Sequence, residues 1–184
     1  MPRHWNRSVL KKGVGGMRFK VKLGNKTIRV WEIPEEEQFR ILEEKRKNWK
    51  YPESRDGFIE TWRRKFTHKG IVFELAILRY YDLDTGFRPL GNRISDRHVV
   101  VEYPKETEPL VKKLESLGIE EFLWHDTLHS WNDKQTLPEQ LKEAYELAIN
   151  DINNLPKWLN KKEKELKKKL RELKILRKKF LKVR

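Results

Sequence analysis

Cysteine is absent from this chain, and no apolar run approaches the length of a membrane-spanning helix. Without cysteine, the chain has neither a disulfide framework nor a thiolate metal site. Crossing a bilayer takes about 20 apolar residues, and the first residues also lack the apolar segment of a secretory signal. We therefore expect a soluble, cytoplasmic protein with no membrane partner.

Acidic residues are missing from the first 30 positions, which hold nine lysines and arginines. Residues 31–156 hold 19 basic and 25 acidic side chains, whereas residues 157–184 hold 14 basic side chains and three glutamates. The formal net charge of +14 therefore comes from the two ends of the chain. Clustered positive charge attracts polyanions and favours a nucleic-acid partner. Abundant lysine and glutamate are also compatible with a hyperthermophilic source.

The length and the aromatic content predict one folded domain with extensions. A chain of 184 residues that includes 7 tryptophans and 8 phenylalanines can bury a core despite its high charge. We divide it into a flexible basic arm over residues 1–16, a nucleic-acid-binding core over 17–154 and a basic, leucine-zipper-like oligomerisation helix over 155–184.

Alternating polar and apolar residues predict five strands. Two-residue turns at Gly24-Asn25 and Lys69-Gly70 join four of them into two hairpins, the first with glycine leading as a type II′ turn prefers. The strands are expected at residues 18–23, 27–31, 58–67, 71–81 and 98–103. A turn over 82–86 and a loop over 87–96 separate the second hairpin from the fifth strand.

Helical patterns frame and follow the strands. Helices are expected at about residues 34–49, 106–117, 119–132 and 138–153, and in a tail helix after a kink at Leu155-Pro156. Strands followed by helices indicate an α+β fold, with an antiparallel sheet of about five strands packed on helices and a long basic C-terminal helix.

The first hairpin has an apolar face and a cationic face. Its turn sets the register, which leaves on the outer face Arg18, Lys20, Lys22, Thr27, Arg29 and Trp31. Lys20 lies opposite Arg29, a like-charge pair that bound phosphate would relieve, and Trp31 offers a ring on which a base can stack. The alternative is a solvated edge hairpin that lysines protect against aggregation.

Residues 62–66 repeat the combination of aromatic and basic side chains. Alternation places Trp62, Arg64 and Phe66 on one face, and Arg63 and Lys65 on the other. We count all five as candidate nucleic-acid ligands, although Trp62 and Phe66 fit a core role equally well. Arg64, between apolar neighbours, requires a carboxylate or a phosphate as a partner.

A seven-residue apolar repeat runs through the last helix. Leu159, Leu166, Leu173 and Phe180 occupy every seventh position, and Leu170 adds an apolar residue at the second seam position. The other residues at that position are charged, so the zipper spans only roughly three heptads. We predict a homo-oligomer, a dimer or a tetramer, joined by these five residues. The alternative is a helix folded back on its own domain.

No arrangement typical of an active site is present. His125 and His129 have the spacing of helical metal ligands, but no third ligand is evident. Asp82, Asp84 and Glu102 resemble the acids of metal-dependent nucleases only loosely, because the lysine after Glu102 stands one residue too far along. We predict no catalytic residue, no metal and no cofactor, and a nuclease is the least favoured alternative.

A strand-rich core with basic and aromatic side chains, followed by a zipper-like helix, resembles the ThermoDBP family. The resemblance rests on residues 18–31, residues 62–66 and the apolar column of the tail, and it covers most of the chain. Members are archaeal single-stranded-DNA-binding proteins of the Thermoproteales and related hyperthermophiles. The resemblance implies a basic-rimmed cleft with an aromatic floor that binds single strands without sequence preference, and subunits joined by the zipper.

These features together predict a non-enzymatic binder of single-stranded nucleic acid, with DNA as the favoured form. The main alternative is an RNA- or ribosome-associated accessory protein that uses the arm and the tail as electrostatic anchors. The sequence leaves the choice between DNA and RNA open.

Overall fold

The computed structural model describes residues 16–47, 56–82, 88–89, 97–119, 125–126 and 135–181. It is α+β, as predicted. Its elements are β1 (Arg18–Leu23), β2 (Lys26–Trp31), α1 (Glu35–Lys47), β3 (Asp56–His68), β4 (Ile71–Asp82), β5 (Arg88–Pro89), β6 (Arg97–Glu102), α2 (Glu108–Ser116), β7 (His125–Asp126) and α3 (Leu137–Leu181). Residues 1–15, most of the expected basic arm, lie outside the described ranges.

The strands form two antiparallel sheets, which corrects the expectation of one. The first hairpin, β1 and β2, is a sheet of its own, while β3, β4 and β6 form the larger sheet with the two-residue strands β5 and β7 at its margins. All five long strands were predicted. The hairpin forms a separate sheet because its apolar face joins the core shared with the larger sheet and α3, and it does not extend the edge of the larger sheet.

The main core lies between the hairpin, one face of the larger sheet and α3. The hairpin contributes Val21, Leu23, Ile28 and Val30; the sheet contributes Phe73, Leu75, Ile77, Val99 and Val101; and α3 contributes Leu141, Ala144, Ala148 and Ile152. These sheet residues alternate along β4 and β6, so they share one face, called here the core face. The other side of the same sheet is called the far face.

A β-bulge in β3 changes which side chains share a face. Glu60 pairs with Leu78 and Trp62 pairs with Ile77, so Thr61 is the extra residue. Beyond the bulge, alternation restarts one residue later. As a result Glu60 lies on the same face as Arg63.

The last helix is longer than expected. α3 runs without interruption from Leu137 to Leu181 and includes Pro156, where the sequence predicted a kink between two helices. Pro156 has no amide hydrogen, so the carbonyl of Ile152 has no helical donor there. Leu155 is the last buried residue of α3, so the proline lies where the helix leaves the domain.

Thr136 caps the start of α3 in a reciprocal capping box. Its backbone N–H donates to the Glu139 carboxylate at 2.7 Å, and the Glu139 N–H donates to the Thr136 hydroxyl at 3.4 Å. We expect Thr136→Ala to lower the free energy of unfolding by about 1 kcal/mol, because an end-of-helix donor loses its acceptor. Denaturant unfolding measures the change. Thr136→Ser, which keeps the hydroxyl, is the matched control, and an alanine variant as stable as the serine variant would refute the cap.

The helix expected at residues 119–132 is wrong where the structure describes it. His125–Asp126 is a strand, β7, which pairs with Val100 and Val101 of β6. The helical spacing of His125 and His129 therefore does not apply, and His129 lies outside the described residues. Among the described helices, none combines the length and apolarity needed to cross a bilayer.

Candidate nucleic-acid interface

The outer surface of the first hairpin, called here the basic face, consists of Arg18, Lys20, Lys22, Arg29 and Trp31. All five side chains are exposed, while the residues between them point into the core or pack against it. The register is the predicted one, with Lys20 opposite Arg29 and Arg18 opposite Trp31. Alternation in a short hairpin that buries one face therefore produces a cationic surface.

Within the hairpin itself, no acidic residue balances the positive charge of the basic face. Across the described part of the chain, no carboxylate pairs with its lysines and arginines. Lys20 and Arg29 stand directly opposite each other in the ladder, and like charges in that relation destabilise a strand pair. The basic face is thus a site where an anion would relieve repulsion already present in the fold.

Trp31 presents an aromatic surface at the open end of the hairpin. Its side chain is 54% exposed, and the Arg18 guanidinium carbon lies 5.8 Å from the ring centroid. This cation–π contact orients the ring and places a positive charge beside it. A stacking surface next to cations is what sequence-tolerant recognition of single strands requires.

A buried carboxylate anchors the hairpin to the larger sheet. Glu32, directly after Trp31, accepts hydrogen bonds from the Thr61 hydroxyl at 2.7 Å and from Arg97 Nε at 3.0 Å. The backbone N–H of Met17 also donates to Glu32, at 3.1 Å. Donors from three separate segments satisfy this carboxylate, which explains how a charged group is tolerated in the interior. No local sequence pattern predicts this contact.

The structure does not bring Arg63 and Lys65 to the basic face. Both lie on the far face of the larger sheet, where they pair with four carboxylates, called here the acidic cluster: Glu60, Glu74, Glu102 and Glu106. Arg63 contacts Glu60 and Glu102, each at 2.6 Å, and also Glu74. With four acids for two bases, this surface is not an anion site, so we exclude Arg63 and Lys65 from the interface.

The hydrogen bonds of these pairs shift their titration in the expected directions. The hydrogen bond to Glu60 raises the pKa of Arg63, and the one to Glu106 raises the pKa of Lys65. The same bond from Lys65 lowers the pKa of Glu106. The pairs hold β3 to β4, β6 and the turn before α2.

Trp62 and Phe66 take the core role. Both are partly buried against the main core, and the Phe66 ring lies 5.6 Å from that of Phe73 and 5.4 Å from that of Tyr145 between centroids. Arg64 shares their side of the sheet but is exposed. Its charge therefore stays hydrated, and the carboxylate or phosphate partner that the sequence analysis required for Arg64 is unnecessary. Of residues 62–66, only Arg64 remains a candidate ligand.

The zipper residues lie on a helix that does not fold back on the domain. Leu159, Leu166, Leu170, Leu173 and Phe180 are 40%, 47%, 53%, 62% and 77% exposed. Trp158 and Lys162 are the last side chains of α3 that the domain partly covers. Three further apolar side chains of this segment are exposed, namely Ile175, Leu176 and Leu181. The fold-back alternative is therefore wrong for the described segment.

The acids considered for a nuclease do not assemble in the described residues. Glu102 is engaged with Arg63, and Asp84 lies outside the described ranges. In the portion of the chain that the structure covers, no group of three histidines or carboxylates is placed to hold a metal ion.

The comparisons with known proteins add no assignment to this geometry. Neither the protein-family models, nor the curated proteins, nor the solved structures yield a match to this chain.

Proposed function

We propose that this protein is a non-enzymatic, sequence-independent binder of single-stranded nucleic acid that self-associates through the second half of α3. The basic face holds the phosphates, Trp31 stacks on a base, and DNA is the favoured form. This function is also the one implied by the resemblance to the ThermoDBP family.

One observation carries the proposal: the basic face joins four cations, which pair with no carboxylate of the described residues, to an exposed tryptophan on the same hairpin. Cations alone would suit any polyanion, and an exposed ring alone is unremarkable on a protein surface. Their combination favours unpaired strands, since only unstacked bases offer a face to an aromatic side chain. In a duplex the bases are stacked on one another, so far less of their flat surface is available to an aromatic side chain.

The test is a titration of fluorescent oligonucleotides at several salt concentrations. Four phosphate contacts to a single strand give a slope of log affinity against log salt of about −3. We expect single-stranded DNA to bind more tightly than a duplex of the same sequence. No binding at low salt would overturn the proposal, and much tighter binding of RNA would favour the RNA-associated alternative.

Trp31→Ala tests the stacking role. We expect the variant to bind a single strand about tenfold more weakly, since one stacked base contributes roughly 1–3 kcal/mol, while duplex binding changes little. Phe58→Ala is a matched control, because Phe58 is also exposed, by 49%, and also adjoins a cation, Lys45, at 5.3 Å. Equal losses of affinity for single strand and duplex would mean that Trp31 only positions the neighbouring positive charge and does not stack on a base.

A further inference from the structure

The apolar stripe of α3 continues past the point where the domain stops covering it. Leu141, Ala148 and Ile152 are buried on this stripe, and Leu166 and Leu173 are exposed on it. At about 100° per residue, the stripe positions of both halves fall within about 80° of one another. The helix therefore presents one apolar face, of which the first half packs on the domain and the second half has no cover within the described chain.

A second copy could cover this face in parallel or in antiparallel orientation, and the charged residues of the seam distinguish the two. In a parallel pair each seam residue faces its own copy, so Glu163 would meet the partner's Glu163 and Arg177 would meet the partner's Arg177. Four of the seven positions that flank the seam are lysines, namely Lys162, Lys167, Lys169 and Lys174, and the other three are uncharged. Parallel pairing would therefore set like charges against each other at both charged seam positions.

We propose that two copies of this chain associate through residues 159–181 of α3 in antiparallel orientation. With the centre between Leu170 and Leu173, Leu170 packs against the partner's Leu173, and symmetry repeats the contact. Glu163 then lies within one helical turn of the partner's Arg177, so opposite charges adjoin instead of like ones. The inference rests on the self-association proposed above and names its partner surface, and it does not depend on nucleic-acid binding.

Antiparallel pairing sets the distance between the two basic faces. The tip of the hairpin lies against α3 at Tyr145, because a Cβ placed on Gly24 would be 3.2 Å from the Tyr145 hydroxyl. At a rise of about 1.5 Å per residue, the two copies of Tyr145 lie about 80 Å apart along the paired helices. The two basic faces therefore stand at opposite ends of a rod, and the lysines of the tail line the rod between them.

Disulfide cross-linking tests the orientation, and the absence of native cysteine makes single-cysteine variants unambiguous. Glu163→Cys and Phe180→Cys are prepared separately, mixed in equal amounts and oxidised. Antiparallel pairing predicts that a 163–180 cross-link dominates in the mixture and that each variant alone cross-links poorly, because like positions lie about 25 Å apart. Self-linked 163–163 and 180–180 products would establish parallel pairing and overturn the inference.

A charge swap gives a second readout without cysteine. We expect Glu163→Arg to weaken self-association several-fold in sedimentation, and the added change Arg177→Glu to restore it, because the swap re-creates the opposite pair. In a parallel pair both variants keep like charges, so no restoration would follow, and that result overturns the proposal. A monomeric wild-type protein would overturn it as well, whereas oligonucleotide binding, measured on the same samples, judges the proposed nucleic-acid site separately.

Discussion

The double variant Lys20→Gln/Arg29→Gln is expected to bind single-stranded DNA about 100-fold more weakly than the wild-type protein. Each charge-assisted contact to a phosphate contributes about 1.5 kcal/mol, and two of them amount to two powers of ten in affinity. The slope of log affinity against log salt should also become shallower by about 1.4. Fluorescence anisotropy over a salt series measures both quantities.

The stability of the same variant separates binding from folding. Lys20 and Arg29 face each other across the ladder, so removing both charges relieves repulsion. We therefore expect the free protein to unfold at the same temperature or slightly higher, although its affinity falls. A fall in stability parallel to the fall in affinity would mean that the hairpin had been damaged instead.

Arg63→Gln/Lys65→Gln is the matched control. It removes one arginine and one lysine from adjacent levels of a strand, but these two are paired with the acidic cluster. We expect its affinity for DNA to stay within a few-fold of wild type and its thermal stability to fall, since paired glutamates lose their partners. Loss of binding in this variant equal to that of Lys20→Gln/Arg29→Gln would show that total charge, not the basic face, governs affinity.

Glu32→Gln is expected to lower the free energy of unfolding by about 3–5 kcal/mol. The substitution removes the negative charge paired with Arg97, whose side chain is only 11% exposed, and it puts an amide donor where a carboxylate oxygen accepts hydrogen bonds. For a chain of this size the midpoint of thermal unfolding should fall by roughly 6–20 °C. Calorimetry or circular dichroism would measure the change.

Two control variants test the cause of that loss of stability. Glu37→Gln breaks an exposed ion pair with Arg40 and should change stability little, because solvated pairs contribute little. Replacing both Glu32 and Arg97 by methionine removes both charges of the ion pair and should recover part of the loss. If Glu32→Gln were as stable as Glu37→Gln, the anchoring role of Glu32 would be refuted.

Local rules were sufficient to predict the first hairpin from sequence. A two-residue turn fixes which residues face each other, so the opposition of Lys20 and Arg29 and the outward direction of Trp31 follow from residues within a few positions of one another. Gly24 has φ +56°, as a glycine-first turn requires. The basic face, which carries the proposed function, was therefore readable in the sequence.

Features that depend on partners distant in the sequence could not be predicted from it. Glu32 meets its donors at sequence separations of 15, 29 and 65 residues, and no local pattern encodes such a meeting. Arg63 was correctly predicted to lie on the opposite face from Arg64. However, two of its acidic partners, Glu74 and Glu102, come from other strands, and a bulge at Thr61 brings the third, Glu60, to its side. A bulge shifts the alternation by one residue, so strict period-two reasoning misplaces every neighbour before it.

The arrangement of the two sheets gives the folded domain an electric dipole moment. The basic face lies opposite the buried face of the hairpin, and the acidic cluster lies on the far face of the larger sheet, so both surfaces point away from the shared core. Within the Debye length of about 8–10 Å, a polyanion would attract the first surface and repel the second, so the domain would rotate toward its ligand before touching it. Encounter would then begin in the productive orientation, which shortens the search for contact and makes the association rate, not only the affinity, sensitive to salt.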